Sequence, residues 1–160
     1  MRPVLLFIAA ASIFLLDQAT KIWIVHGLKL DEVGAIDVFP PLLNFRMGWN
    51  RGVNFGLFSG GEEWMRWLLV VLALVIIGWV IWWMRREEAG PRAEIAAGLL
   101  VGGAFGNVVD RVVYGAVADF LNMSCCGIRN PYTFNVADIA IFAGALGLIL
   151  FTGKQKDNKA

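Results

Sequence analysis

From Trp67 to Met84 the chain runs for 18 residues without a charged side chain. As a helix rising about 1.5 Å per residue, that run nearly crosses a hydrocarbon core of about 30 Å. Water would solvate such a run poorly, so it predicts a membrane span. Four apolar segments follow the same logic, at approximately 3–25, 64–84, 93–114 and 135–152. Hydrophobic residues make up 58% of the 160, above the roughly 45–50% usual for soluble domains. The expected fold is an all-α membrane protein with four transmembrane helices, forming one domain over residues 1–160. Met1–Leu16 also resembles a signal peptide, but no small-residue cleavage site follows, so it is read as an uncleaved first span.

Lysine and arginine set the orientation. Arg2, Arg85, Arg86, Arg92, Lys154, Lys156 and Lys159 fall in short segments on one side. Lys29, Arg46, Arg51, Arg66 and Arg129 are spread over longer loops on the other. Both termini are therefore expected in the cytoplasm. The outer loop His26–Glu63 is too long for a simple connector. It is expected to form a small β-hairpin platform, with strands at Leu42–Met47 and Val53–Phe58 around a turn at Trp49-Asn50-Arg51-Gly52. Ser59-Gly60-Gly61-Glu62 matches a capping box ahead of the second span.

Three of the four segments carry polar residues that a span would not take up cheaply. Asp17 and Lys21 lie in the first, Asn107, Asp110 and Arg111 in the third, and Asn135 and Asp138 open the fourth, with Asp119 between the last two. Ionisable side chains at membrane depth are costly and usually mark a working site. With this topology they converge near the outer face. Two carboxyls sharing one site cannot both ionise cheaply, so the pair holds a single proton. The ionised member can activate a water and the protonated member can donate to a carbonyl oxygen, which together hydrolyse a peptide bond. Spacing leaves the partner of Asp138 open between Asp110 and Asp119. Asp110 neighbours Arg111 and shares a helical face with Asn107, as an ionised structural group would, whereas Asp119 follows Gly115 and has no basic neighbour. Asn135 suits an N-cap of the fourth helix, and Asp17 and Lys21, four apart, suit an ion pair.

The remaining candidates carry less. Cys125 and Cys126 are the only cysteines, adjacent and without zinc-type spacing, and are read as loop residues. His26, the only histidine, is read as an interface residue. No metal or other cofactor is expected. The net charge of +1, with no basic stripe, gives no case for nucleic acid.

The chain resembles lipoprotein signal peptidase, the signal peptidase II family of bacterial membrane aspartic peptidases. Asp17-Gln-Ala-Thr-Lys21 resembles the family's first box, and Asn50-Arg-Gly-Val-Asn-Phe-Gly56 its second. Gly102-Gly-Ala-Phe-Gly-Asn-Val-Val-Asp-Arg111 with Gly115-Ala-Val-Ala-Asp-Phe120 resembles the third, and Phe134-Asn-Val-Ala-Asp138 the last. The resemblance implies that Asp119 and Asp138 are the catalytic pair. It implies that Asn107, Arg111 and Asn135 line the site, that Asn50 and Gly52 meet substrate, and that Asp17, Lys21 and Asp110 give support. The implied substrate is a diacylglyceryl-modified prolipoprotein, cut just before the lipidated cysteine by an enzyme of the inner membrane with its site near the outer face. Membrane lipid and globomycin-type inhibitors are the other implied partners, and the chain is expected to be a monomer.

Two departures from the family pattern stand out. Val53 and Asn54 replace the small residues common in the second box, and Asn122–Thr133 keeps only Pro131 of the usual aromatic-proline pattern. Two other classes compete with a peptidase. A proton-coupled transporter needs a polar path to both faces, whereas these residues gather at one end. A structural subunit needs no charge-frustrated aspartates.

Overall fold

The computed structural model describes residues 3–52, 62–86 and 89–152. Helix α1 (Val4–Lys21) continues as a wider π-helical segment, Ile22–Gly27, and is followed by a single turn, α2 (Leu30–Val33). Strands β1 (Ala35–Phe39) and β2 (Leu43–Asn50) precede α3 (Glu62–Arg86) and α4 (Pro91–Tyr114). Strand β3 (Val117–Asn122) and helix α5 (Val136–Thr152) complete the chain. Three helical stretches are long and apolar enough to cross a membrane: Val4–Gly27, Glu63–Arg86 and Pro91–Tyr114. Helix α5 is equally apolar in character but has 17 residues.

Helix α4 is the centre of the bundle. More than half of its apolar window, 56%, is buried, against 17% for each of the other two long stretches. It packs against α1, α3 and α5. Small residues allow this. A Cβ on Gly102 would run into the Ala10 carbonyl of α1, and one on Gly103 into the Ala137 carbonyl of α5. Two neighbouring glycines thus let two different helices approach α4 backbone to backbone, as membrane bundles commonly do. Leu6, Val80, Met84, Ala97, Val101 and Leu148 fill the core toward one end. The outward face of α3, including Trp67, Val71, Val75 and Trp79, stays exposed, as lipid-facing side chains would be.

Helix α4 begins with Pro91 after an extended Gly90 and stops at Gly115, whose φ of +79° is left-handed. That reversal sends the chain directly into β3. The sheet is antiparallel with order β1-β2-β3. It caps the end of the bundle, where Ile24, Val25, Leu30, Ala118 and Phe120 form a second core.

The platform is therefore larger than the expected hairpin and paired differently. The partner of β2 is the upstream segment Ala35–Phe39, and Trp49 and Asn50 belong to β2 itself rather than to a turn. Ile36, Phe45 and Met47 explain the choice, because this pairing packs all three against the second core. Val53–Phe58 and the first three residues of the expected capping box, Ser59-Gly60-Gly61, lie outside the described residues. The third strand was not anticipated.

Replacing Gly103 by valine forces α5 away from α4. Overpacking of this kind costs about 1–3 kcal/mol. The variant is expected to unfold several degrees below the parent in a detergent thermal melt, and an unchanged midpoint would contradict the close helix contact.

Candidate active site

The polar residues form two connected layers at the end of the bundle beneath the sheet. The deeper layer is ionic. Lys21 Nζ lies 2.7 Å from Asp17 Oδ2 and 2.8 Å from Asp110 Oδ2. Asp17 and Asp110 are fully buried and Lys21 is 5% exposed. The i,i+4 spacing on α1 brings the first pair together, while α4 supplies the second aspartate. Gln18 Nε2 donates to both carboxylates, at 3.1 Å each. Gly106 makes room for this layer, since a Cβ there would meet Asp17 Oδ2 at 2.6 Å. A buried charge triad survives desolvation only with such complete hydrogen bonding.

The outer layer holds the two remaining aspartates. Asp119 sits on β3, only 3% exposed. It accepts 3.1 Å from Asn50 Nδ2 on β2 and 2.7 Å from Asn135 Nδ2. Asp138 lies in the first turn of α5 and accepts 2.9 Å from Asn107 Nδ2. Asn135 and Asp138 form a reciprocal cap: Asp138 N–H donates to Asn135 Oδ1 at 2.9 Å, and Asn135 N–H to Asp138 Oδ2 at 3.2 Å. This is capping-box geometry with short side chains. Asn135 therefore touches both carboxylates. Asn107 links the layers, since its Oδ1 also accepts from Lys21 at 3.4 Å and from Asn135 at 3.3 Å.

Asp119 lies outside the spanning helices, and burial pushes its carboxyl up to about 6 from an ordinary 3.8. The Asp138 charge adds to the rise, and Asn50, Asn135 and Lys21 oppose it. Asp119 therefore keeps its proton above the usual carboxylate range, as a buried carboxyl beside a like charge does.

Arg111 donates from Nη1 to the Asn107 carbonyl at 3.2 Å, and its Nε is buried with no hydrogen-bond partner among the described residues. Asp138, Asp119 and Asp110 are all within electrostatic reach of its guanidinium. Gly52 stands back from the carboxylates: with φ of +102°, it donates its N–H to Asn50 Oδ1 at 3.0 Å and so orients that side chain.

The partner of Asp110 is Lys21, across the helix interface. His26 lies apart, 3.8 Å from Asp31 and against the Tyr114 ring. Cys125 and Cys126 are exposed free thiols in the β3–α5 loop. Among the described residues, no group of three or more His, Cys, Asp or Glu side chains converges as a metal would need. Sequence reasoning missed Gln18 and the backbone N–H groups of Ala118 and Ala137, which donate to Asp110 and Asp17. Gln18 lies inside the Asp17–Lys21 box, which was its available signal.

The model of a family described as Signal peptidase (SPase) II matches residues 9–153. A lipoprotein signal peptidase from Methylorubrum extorquens is 45% identical over 144 residues, covering 89% of this chain and 82% of its own. Another from Methylobacterium sp. (strain 4-46) is 44% identical, covering 95% and 91%. A solved bacterial membrane enzyme structure superimposes with a TM-score of 0.79 at 26% identity, covering 94% of this chain and 93% of that one.

Between pH about 4 and about 6 the folded chain holds a proton on Asp119 that the unfolded chain has released. The contribution of Asp119 to stability thus falls as pH rises through that window. Carboxyl carbon NMR is expected to show Asp119 titrating near 6. Asn50→Ala removes a hydrogen bond to the ionised form and should raise that midpoint; a fall would contradict the geometry.

Proposed function

Because this chain belongs to the signal peptidase II family, we propose that Asp119 and Asp138 are its catalytic pair and that it removes signal peptides from prolipoproteins. The chain is a peptidase of a membrane-enzyme type. The observation that carries the assignment is Asn135, which binds both carboxylates, together with the raised Asp119 carboxyl beside Asp138.

In this reaction Asp119, the carboxyl pushed up by burial, is the proton donor and Asp138 is the base. Asp138 takes a proton from a water as that water's oxygen bonds to the scissile carbonyl carbon. Asp119 gives its proton to the carbonyl oxygen, so the tetrahedral species forms without a full negative charge. On collapse Asp138 returns its proton to the leaving nitrogen, the C–N bond breaks, and Asp119 recovers the hydroxyl proton. No covalent enzyme intermediate is needed. The Arg111 guanidinium lies within electrostatic reach of both aspartates, and Asn50 and Asn135 keep the Asp119 carboxyl aimed.

The substrate is a prolipoprotein carrying diacylglycerol, cut just before the lipidated cysteine. Four spans, with α5 as the fourth, leave both termini in the cytoplasm and the pair near the outer face. Ile139, Phe142, Leu146 and Ile149 form an exposed apolar face on α5, which supports lipid contact along it. Exposed Trp23, Trp49, Trp64 and Tyr114 surround the sheet end, and aromatic belts mark membrane boundaries. Acyl chains would enter sideways from lipid with the scissile bond at that boundary. A globomycin-type peptide would compete for the same place, and a monomer contains the whole site.

Asp119→Asn and Asp138→Asn are each expected to lower kcat on a lipidated precursor by at least about 100- to 10,000-fold, read as signal-peptide release. The kcat/KM profile should fall on its alkaline side as Asp119 loses its proton, at pH about 6 or above. Full activity in either variant would remove that aspartate from the mechanism.

A further inference from the structure

Each proposed catalytic aspartate directly follows an alanine whose backbone N–H ends on a buried carboxylate. Ala118 N–H, one residue before Asp119, donates to Asp110 Oδ2 at 3.1 Å. Ala137 N–H, one residue before Asp138, donates to Asp17 Oδ1 at 3.0 Å. Lys21 joins the two accepting carboxylates, and Gln18 Nε2 joins them again. We propose that Asp17, Lys21 and Asp110, braced by Gln18, form a clamp that sets the separation of the catalytic pair. This rests on the assignment of Asp119 and Asp138 above.

Both tethers use amides that the local secondary structure leaves free. Ala137 is in the first turn of α5, where backbone N–H groups lack intrahelical acceptors. Strand β3 is an edge of the sheet, and Ala118 turns both its N–H and its carbonyl to site residues, Asp110 and Asn135. A strand and a helix have no intrinsic reason to hold their carboxylates at a fixed spacing. The clamp supplies one, because a shift of either alanine carries its neighbouring aspartate with it. One ammonium between two carboxylates also ties the tethers together, so movement of one disturbs the other. A misplacement of about 1 Å in a catalytic group can cost about 100-fold in rate, so a small loosening would be visible. These residues are positioning residues, since none of them reaches the reacting atoms.

The test uses the full chain purified in detergent with a lipidated precursor. Asp110→Ala and Asp17→Ala should lower kcat by about 10- to 100-fold, with KM held within about threefold. Affinity for a hydroxyl-bearing mimic of the tetrahedral species should fall in step with kcat. Gln18→Leu, which removes only the second brace, should show the same split at smaller size. Leu148→Ala thins the core of the same bundle away from the site and serves as the stability control, with kcat retained. Unchanged kcat in both aspartate variants overturns the clamp, as does a fall no larger than that of Leu148→Ala at an equal loss of thermal midpoint. Should the alanine variants not fold, Gln18→Leu decides alone, and unchanged kcat there overturns it. Failure of the catalytic assignment is separate, because it appears as retained activity in Asp119→Asn or Asp138→Asn.

Discussion

A single buried ammonium, Lys21, holds α1 and α4 together through two fully buried aspartates. Removing one partner from such a group leaves an uncompensated charge, a loss of about 3–5 kcal/mol in comparable buried pairs. The cost of desolvating three charges is offset only because every carboxylate oxygen is occupied. Asp17 receives Lys21, Gln18 and the Ala137 amide; Asp110 receives Lys21, Gln18 and the Ala118 amide. Packing accommodates this layer through Gly106, which leaves space for Asp17, and through Gly102 and Gly103, which draw α1 and α5 onto α4.

Above that layer the chemistry changes character. The ionic triad is charge-paired, whereas the outer carboxylates are surrounded mainly by neutral amides from Asn50, Asn107 and Asn135. Amides orient a carboxylate without supplying a full counter-charge, so the like-charge conflict between Asp119 and Asp138 persists. That is the condition for sharing a proton, and it sets the two pairs of aspartates apart electrostatically. In the proposed reaction the lower pair is architecture and the upper pair is chemistry.

Much of this was legible in the sequence, for identifiable reasons. Apolar runs, three of them broken by polar residues, marked the helices nearly to their ends, and the spacing of Asp17 and Lys21 gave their ion pair. Pro91 and Gly115 carry clear helix-boundary signals. The contact between Lys21 and Asp110 was not legible, because it depends on how two helices dock rather than on spacing within either. Strand β3 was hidden for a similar reason: Val117–Asn122 is short, and its strand form depends on pairing with β2, some 70 residues upstream. Without β3, the residues only leaned toward Asp119 over Asp110, through its lack of a basic neighbour, and the resemblance to a known family had to settle the choice. The hairpin partner of β2 was misread because the burial of Ile36 against the second core is a tertiary effect.

The most direct measurement is an experimental structure of the chain bound to a peptide mimic whose hydroxyl imitates the tetrahedral species. The account predicts that this hydroxyl lies within about 2.6–3.2 Å of a carboxylate oxygen of both Asp119 and Asp138 at once. A hydroxyl seated on one aspartate alone, or carboxylates too far apart to share it, would contradict the account.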